Sequence, residues 1–158
     1  MRNTPITIIQ RHRKENLKKC SLRGLESRND LCFYTYPHHP LPEDLTQYTL
    51  LSLEAPELGP QDAERGLLLI DGTWRLAGVM TKQMPTKRPP VFRSLPKRLK
   101  TAYPRRQNDC DDPERGLASV EALFAAYFLM GKDTSGLLDY YIWKQNFLEK
   151  NQDLFNLS

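Results

Sequence analysis

The sequence lacks any apolar run near the roughly 18 residues that a membrane-spanning helix needs. Its first ten residues hold only a short mixed apolar stretch, with no signal-peptide core. A cytoplasmic protein without a membrane partner is therefore expected. Cysteine is scarce as well. Cys20, Cys32 and Cys110 are an odd number and widely spaced, which argues against a disulfide framework and fits reduced thiols. With His12, His38 and His39 they form no CxxC pair and no histidine pair at helical spacing, so no metal site is expected. Glycine-rich phosphate loops are missing too. There is no G-x-G-x-x-G, no Walker loop and no G-x-S-x-G. Any nucleotide-like ligand must be held by other means, and a hydrolase-type serine nucleophile has no elbow to stand on.

One absence is local. Residues 72–108 contain ten lysines and arginines and no acidic residue. Such a one-signed stretch repels itself unless something negative lies against it. Trp74, Phe92 and Tyr103 interrupt it, as do Pro85, Pro89, Pro90, Pro96 and Pro104. A basic, proline-stiffened surface with stacking rings suits an RNA backbone and an exposed base. The same features also suit a long solvated loop. The charge elsewhere is uneven in the opposite sense. Residues 1–28 carry eight Lys/Arg against two Glu, whereas residues 41–67 carry six acidic residues against Arg65 alone.

What is present is enough for a folded domain. The chain has 158 residues, 39% hydrophobic and 27% charged, with a net charge of +4. That length can bury a real core. Ile6–Gln10, Leu31–Tyr36, Tyr48–Leu53 and Gly66–Asp71 read as strands. The last, GLLLID, is a continuous apolar run of the buried parallel type. Gly59–Arg65 fits a short helix with proline at its start, and Trp74–Gln83 fits another. Residues 84–116 look like long irregular connections. Ser119–Met130 is apolar nearly all round, which marks a buried helix. Ser119 is its expected N-cap, Glu121 suits its first turn and Gly131 can stop it. Leu137–Phe155 reads as an amphipathic helix with Leu137, Tyr141, Phe147, Leu148, Leu154 and Phe155 inside. The alternation predicts an α/β fold with a mainly parallel sheet. Ligands of such sheets sit beyond the carboxyl ends of strands, and Asp71 stands at one.

Two constellations follow. Asp71-Gly72-Thr73-Trp74 can face a ligand with its carboxylate and wall an apolar pocket with its indole. It can equally be a turn in which Asp71 caps the next helix and Trp74 enters the core. The start of the buried helix, Leu117 to Ala122, offers free N–H groups to a carboxylate, or is an ordinary capped core helix.

Several segments, in order, resemble the small-subunit ribosomal RNA aminocarboxypropyltransferases. Asn16 to Leu25 (NLKKCSLRGL) is similar to their Lys-Cys-Ser/Thr segment. Thr49 to Leu53 matches their strand, Leu58 to Ala63 their Ser-Pro-Ala-Asp segment, and Gly66 to Trp74 their strand ending in Asp-Cys-Ser-Trp. Arg93 to Pro96, Leu117 to Ala122 and Phe147 to Gln152 complete the series. Asp71 to Arg75 and Tyr103 to Arg106 are closer to the DTW-domain transferases that act on tRNA uridine. Those usually carry an N-terminal cysteine cluster, which is missing here. The chain also departs from the family, with Ala118 in place of a serine.

The resemblance implies a SPOUT-like α/β fold with a trefoil knot. It implies a small N-terminal α/β lobe over residues 1–58 and a knotted S-adenosylmethionine (SAM)-binding region over 59–158, or one continuous domain. It further implies transfer of the 3-amino-3-carboxypropyl group of SAM to a (pseudo)uridine ring nitrogen in small-subunit rRNA, releasing methylthioadenosine. On this reading Asp71 binds the donor's ammonium group or accepts the ring proton. Trp74 and Ala77 line the transferred arm, and Ser21 and Ser119 hold its carboxylate. Backbone near Leu95 and Tyr103 cradles adenine. Arg75, Arg93, Lys97, Arg98, Arg105 and Arg106 meet RNA phosphates. Three other readings stand beside it: the same transfer to tRNA uridine, a knotted RNA methyltransferase, and a non-catalytic RNA-binding assembly factor.

Overall fold

The computed structural model describes residues 4–13, 21–52, 55–71, 87–103 and 117–156. Five strands form one sheet: β1 (Thr7–His12), β2 (Leu31–Tyr36), β3 (Tyr48–Leu51), β4 (Gly66–Asp71) and β5 (Val91–Arg93). Their spatial order is β2-β1-β4-β3-β5, and every pairing is parallel. Two helices follow, α1 (Ser119–Met130) and α2 (Lys144–Lys150). The α/β class and the parallel sheet agree with the sequence reading.

β1 and β4 lie in the middle of the sheet, so both faces of each are covered. β4 shows the period-2 consequence. Leu67 and Leu69 enter the larger core with α1, while Leu68 joins Ile8, Leu45, Tyr48 and Leu50 on the opposite face. α1 lies over β4 and is buried through Val120, Leu123, Ala125, Ala126, Tyr127 and Met130. Its ends are tied to opposite ends of the sheet. Ser119 bonds Asp71 at the carboxyl end of β4, and Tyr127 bonds Thr7 at the start of β1. Eight helical residues rise about 12 Å, and four strand residues rise about 13 Å, so the two spacings match. The helix therefore runs antiparallel to the strands, with its N-terminus at their carboxyl ends.

Several local expectations need correction. β1 does not stop at Gln10 but continues through Arg11 and His12, both buried. The segment Gly59–Arg65 is a single 3-10 turn over Pro60–Asp62. The N-cap of α1 is Ala118, with extended φ −67° and ψ 154°, and Ser119 is the first helical residue. Gly131, at φ 76°, stops the helix as expected: its N–H bonds Phe128 O and that of Lys132 bonds Tyr127 O. Leu137–Phe155 is not one helix. Its first half is a series of turns closed by Leu137→Thr134, Asp139→Gly136 and Tyr141→Leu138 backbone bonds, and only Lys144–Lys150 is α-helical. Leu137, Tyr141, Phe147 and Phe155 are buried all the same. Phe147 and Phe155 pack edge-on against Phe124 or tilted against each other, so burial of the rings rather than helical periodicity sets this segment's path. β5 was not anticipated. It lies within the stretch read as irregular and pairs with β3 through only three residues. Trp74–Gln83 and Leu53 lie outside the described residues.

Candidate active site

The parallel register places Arg11 beside Asp71 at the carboxyl ends of β1 and β4. Both residues are buried, Arg11 to 7% exposure and Asp71 to 3%. Arg11 Nε donates to Asp71 Oδ2 at 3.1 Å. The guanidinium carbon stands 4.7 Å from the centre of the Phe33 ring, and Nη2 lies 3.9 Å from Glu26. Ser119 Oγ donates to the other carboxylate oxygen, Oδ1, at 2.6 Å.

The N-terminus of α1 is finished by residues far away in sequence. Ala118 has no side-chain oxygen with which to cap the helix. Ser21 supplies one instead: its Oγ accepts the N–H of Val120 at 3.0 Å. That bond leaves the Ser21 hydroxyl proton to donate elsewhere, whereas the proton of Ser119 goes to Asp71. Glu121 completes the arrangement. Its Oε1 accepts from Ala118 N at 2.8 Å and Thr101 Oγ1 at 2.5 Å, and its Oε2 accepts from Ala102 N at 2.8 Å and Tyr141 OH at 2.9 Å. A carboxylate with no solvent exposure is tolerated here because four donors surround it.

Glu121 thereby fastens the segment around residues 101–103 to α1. Asn151 fastens it a little earlier, accepting from Lys100 N and donating to Lys100 O, both at 2.9 Å. Leu95 and Tyr103, the expected adenine cradle, are half-buried against the same large core. Lys97 and Arg98 are exposed between them, and neither pairs with an acidic side chain among the described residues. Arg93 is placed differently. Its Nε is 3.2 Å from both carboxylate oxygens of Asp62, which is buried and also accepts from Gly59 N.

The fold thus brings Asp71, Ser21 and Ser119 together, with Leu95 and Tyr103 on the adjoining segment. Trp74, Arg75, Ala77, Arg105 and Arg106 lie outside the described residues. Sequence reasoning missed Arg11 as a partner of Asp71 and Glu121 as an anchor. Arg11 had one signal: a polar Gln10-Arg11-His12 run continues an apolar strand without a turn residue to end it. Among the described residues no group of three or more His, Cys, Asp or Glu is placed to hold a metal ion, and no helix there is long and apolar enough to cross a membrane.

Chemically, the site pairs a buried carboxylate with the positive end of a helix dipole and a serine hydroxyl. An anion next to a cluster of N–H and O–H donors suits a zwitterion, such as the amino-acid end of a small molecule.

No protein-family model matches the chain. Its sequence is 36% identical over 94 residues to a 16S rRNA aminocarboxypropyltransferase of Thermoplasma acidophilum, covering 58% of this chain and 52% of that protein. The chain thus spans about half the length of the curated relative it matches. Its fold is similar to that of the SAM-dependent rRNA:acp-transferase Tsr3 from Vulcanisaeta distributa, with a TM-score of 0.72 and 24% identity, over 96% of this chain and 81% of that one. In sequence over somewhat more than half its length, and in fold over nearly all of it, the chain is similar to the rRNA aminocarboxypropyltransferases.

Proposed function

We propose that this chain transfers the 3-amino-3-carboxypropyl group of SAM to a (pseudo)uridine ring nitrogen in small-subunit rRNA, as a cytoplasmic step of ribosome biogenesis. The observation that carries the reading is the meeting of Asp71 with the N-terminus of α1 through Ser119, 48 positions away in sequence. The sequence relative, a 16S rRNA aminocarboxypropyltransferase, and the structural neighbour, a SAM-dependent rRNA:acp-transferase, support it.

The residues fit the donor. Its amino-acid end carries one ammonium and one carboxylate. Asp71 matches the first, and the Ser21 hydroxyl at the positive end of α1 matches the second. Leu95 and Tyr103 offer half-buried apolar surface for adenine. When bound, SAM supplies a sulfonium whose three attached carbons are all electrophilic. The chain's own contribution is then to hold the amino-acid arm in one orientation, so that the carbon of that arm faces the base. Ala77 and Trp74 belong to this arm-lining role. Asp71 either holds the ammonium or accepts the ring proton.

Lys97 and Arg98, exposed on the segment that Glu121 and Asn151 pin down, are assigned to RNA phosphates. Arg75, Arg105 and Arg106 extend that assignment. Residues 1–58 and 59–158 are read as one continuous domain, because a single sheet takes strands from both. A SPOUT-type trefoil knot in the C-terminal part belongs to the same reading. The all-parallel order β2-β1-β4-β3-β5 and the absence of a glycine loop support it.

The test is to incubate the protein with SAM and small-subunit rRNA, then digest the RNA to nucleosides. A mass gain of one aminocarboxypropyl group, with methylthioadenosine as by-product, is the expected result. S-adenosylhomocysteine as by-product would identify a methyltransferase instead. RNA binding without any SAM affinity would identify a non-catalytic factor. Modified tRNA and unmodified rRNA would move the substrate to tRNA.

A further inference from the structure

Arginine is almost never buried on a central strand without a partner, because burial strips its hydration. Arg11 occupies such a place, flanked by β2 and β4. Its contacts differ in direction. One edge of the guanidinium donates to Asp71 Oδ2, its plane lies near the Phe33 ring, and its far end approaches Glu26. A planar cation held against a ring and a carboxylate together has a fixed orientation, which a flexible ammonium would not have. Asp71 is gripped in turn at both oxygens, by Arg11 on one and Ser119 on the other.

We propose that Arg11 is a positioning residue for the donor site: it holds the Asp71 side chain in one orientation, aimed at the ammonium group of the donor. The proposal rests on the reading of this site as the SAM site. It favours the ammonium role of Asp71 over the proton-accepting role. Accepting a proton would weaken the buried ion pair between Asp71 and Arg11. Adding a further cation to Asp71 leaves the Arg11 bond in place.

The test compares the full-length protein with Arg11→Met, Arg11→Lys, Asp71→Asn, the double variant Arg11→Met/Asp71→Asn, and Glu26→Gln. SAM binding is measured by calorimetry, and transfer to a small-subunit rRNA transcript at saturating SAM. Arg11→Met is expected to weaken SAM binding by about tenfold or more, the scale of one charge-assisted hydrogen bond. Turnover at saturating SAM should stay within about threefold, because the interaction is made in the ground state as well. Arg11→Lys should recover part of the affinity. The double variant should bind no more weakly than Asp71→Asn, since Arg11 acts only through Asp71. Glu26→Gln removes only the longer 3.9 Å contact of Arg11 and should lower SAM affinity less than Arg11→Met does.

Wild-type affinity in Arg11→Lys overturns the positioning role, since charge alone would then suffice. Wild-type affinity in a folded Arg11→Met, with Asp71→Asn weakened, overturns it too and leaves the SAM reading intact. A fall in turnover with unchanged affinity also overturns it. If the wild type binds no SAM, the proposed function and the positioning role fall together. If Arg11→Met does not fold, Arg11→Lys and the double variant, which buries no lone charge, carry the comparison.

Discussion

Arg11 and Asp71 face each other in register across β1 and β4, joined by a 3.1 Å hydrogen bond between two buried charges. Removing Arg11 takes a hydrogen-bonded cationic partner from the buried Asp71, while the neutral Ser119 hydroxyl stays. Arg11→Met is therefore expected to cost about 3–5 kcal/mol of stability, and Arg11→Met/Asp71→Asn much less, because the isolated charge is gone. Urea denaturation of the two variants checks this. Equal losses would mean that the pair is not coupled.

Glu121→Gln exchanges one carboxylate oxygen for an NH₂ group that cannot accept. Of the four donors now satisfied, two lose their acceptor, each at about 1–3 kcal/mol. The loss should appear in urea denaturation. Faster hydrogen exchange should accompany it at one backbone amide, that of Ala118 on Oε1 or that of Ala102 on Oε2, whichever oxygen is replaced.

Ser21 caps a helix that begins 98 positions later, through the N–H of Val120. Ser21→Ala should lower stability by about 1 kcal/mol, as loss of an ordinary N-cap does. It should also weaken SAM binding, because the hydroxyl is assigned to the donor's carboxylate. Ser21→Thr should retain the stability. Thermal denaturation and calorimetry on the same samples separate the two effects.

Lys97 and Arg98 are exposed, whereas Arg93 is tied to the buried Asp62. Lys97→Ala/Arg98→Ala should reduce the slope of log affinity for RNA against log salt by about 1.4, or roughly 0.7 for each single-strand phosphate contact. Arg93→Ala should instead lower stability. An unchanged slope in the double variant would remove these residues from the RNA face.

Tyr127 is pushed up to about 12 by burial, and its hydroxyl lies 2.6 Å from Thr7 Oγ1. In the unfolded chain it ionises near its ordinary value of 10. The folded state therefore favours the neutral ring. The resulting stability is fully present below pH 10 and is lost as pH rises towards 12. Tyr127→Phe removes this dependence, and also leaves the buried Thr7 hydroxyl without its partner, for about 1–2 kcal/mol. Denaturation curves taken from pH 8 to pH 12 for both proteins check the sign. Stability that rose with pH over that range would contradict it.

The strands and the buried helix were legible because their signals are local. An uninterrupted GLLLID requires cover on both faces, and SVEALFAAYFLM closed by glycine can hardly be anything but a core helix. Asp71 was legible for a similar reason, as a carboxylate at the end of an apolar run. The C-terminal segment misled because its apolar spacing suits a helix, yet turn closures around Gly136 and the packing of Phe147 and Phe155 set its path.

By itself, then, the sequence determined the α/β class, the buried strand and helix, the basic stretch and the resemblance to aminocarboxypropyltransferases. All but the resemblance follow from composition or from neighbours within a few positions, and the resemblance rests on short segments taken in order along the chain. Only the tertiary structure decided that Arg11 pairs with Asp71, that Ser21 caps α1 in place of Ala118, and that Glu121 binds Thr101 and Tyr141. These contacts join residues 20 to 99 positions apart. Strand register and helix placement set them, and no pattern along the chain encodes a distance across a fold.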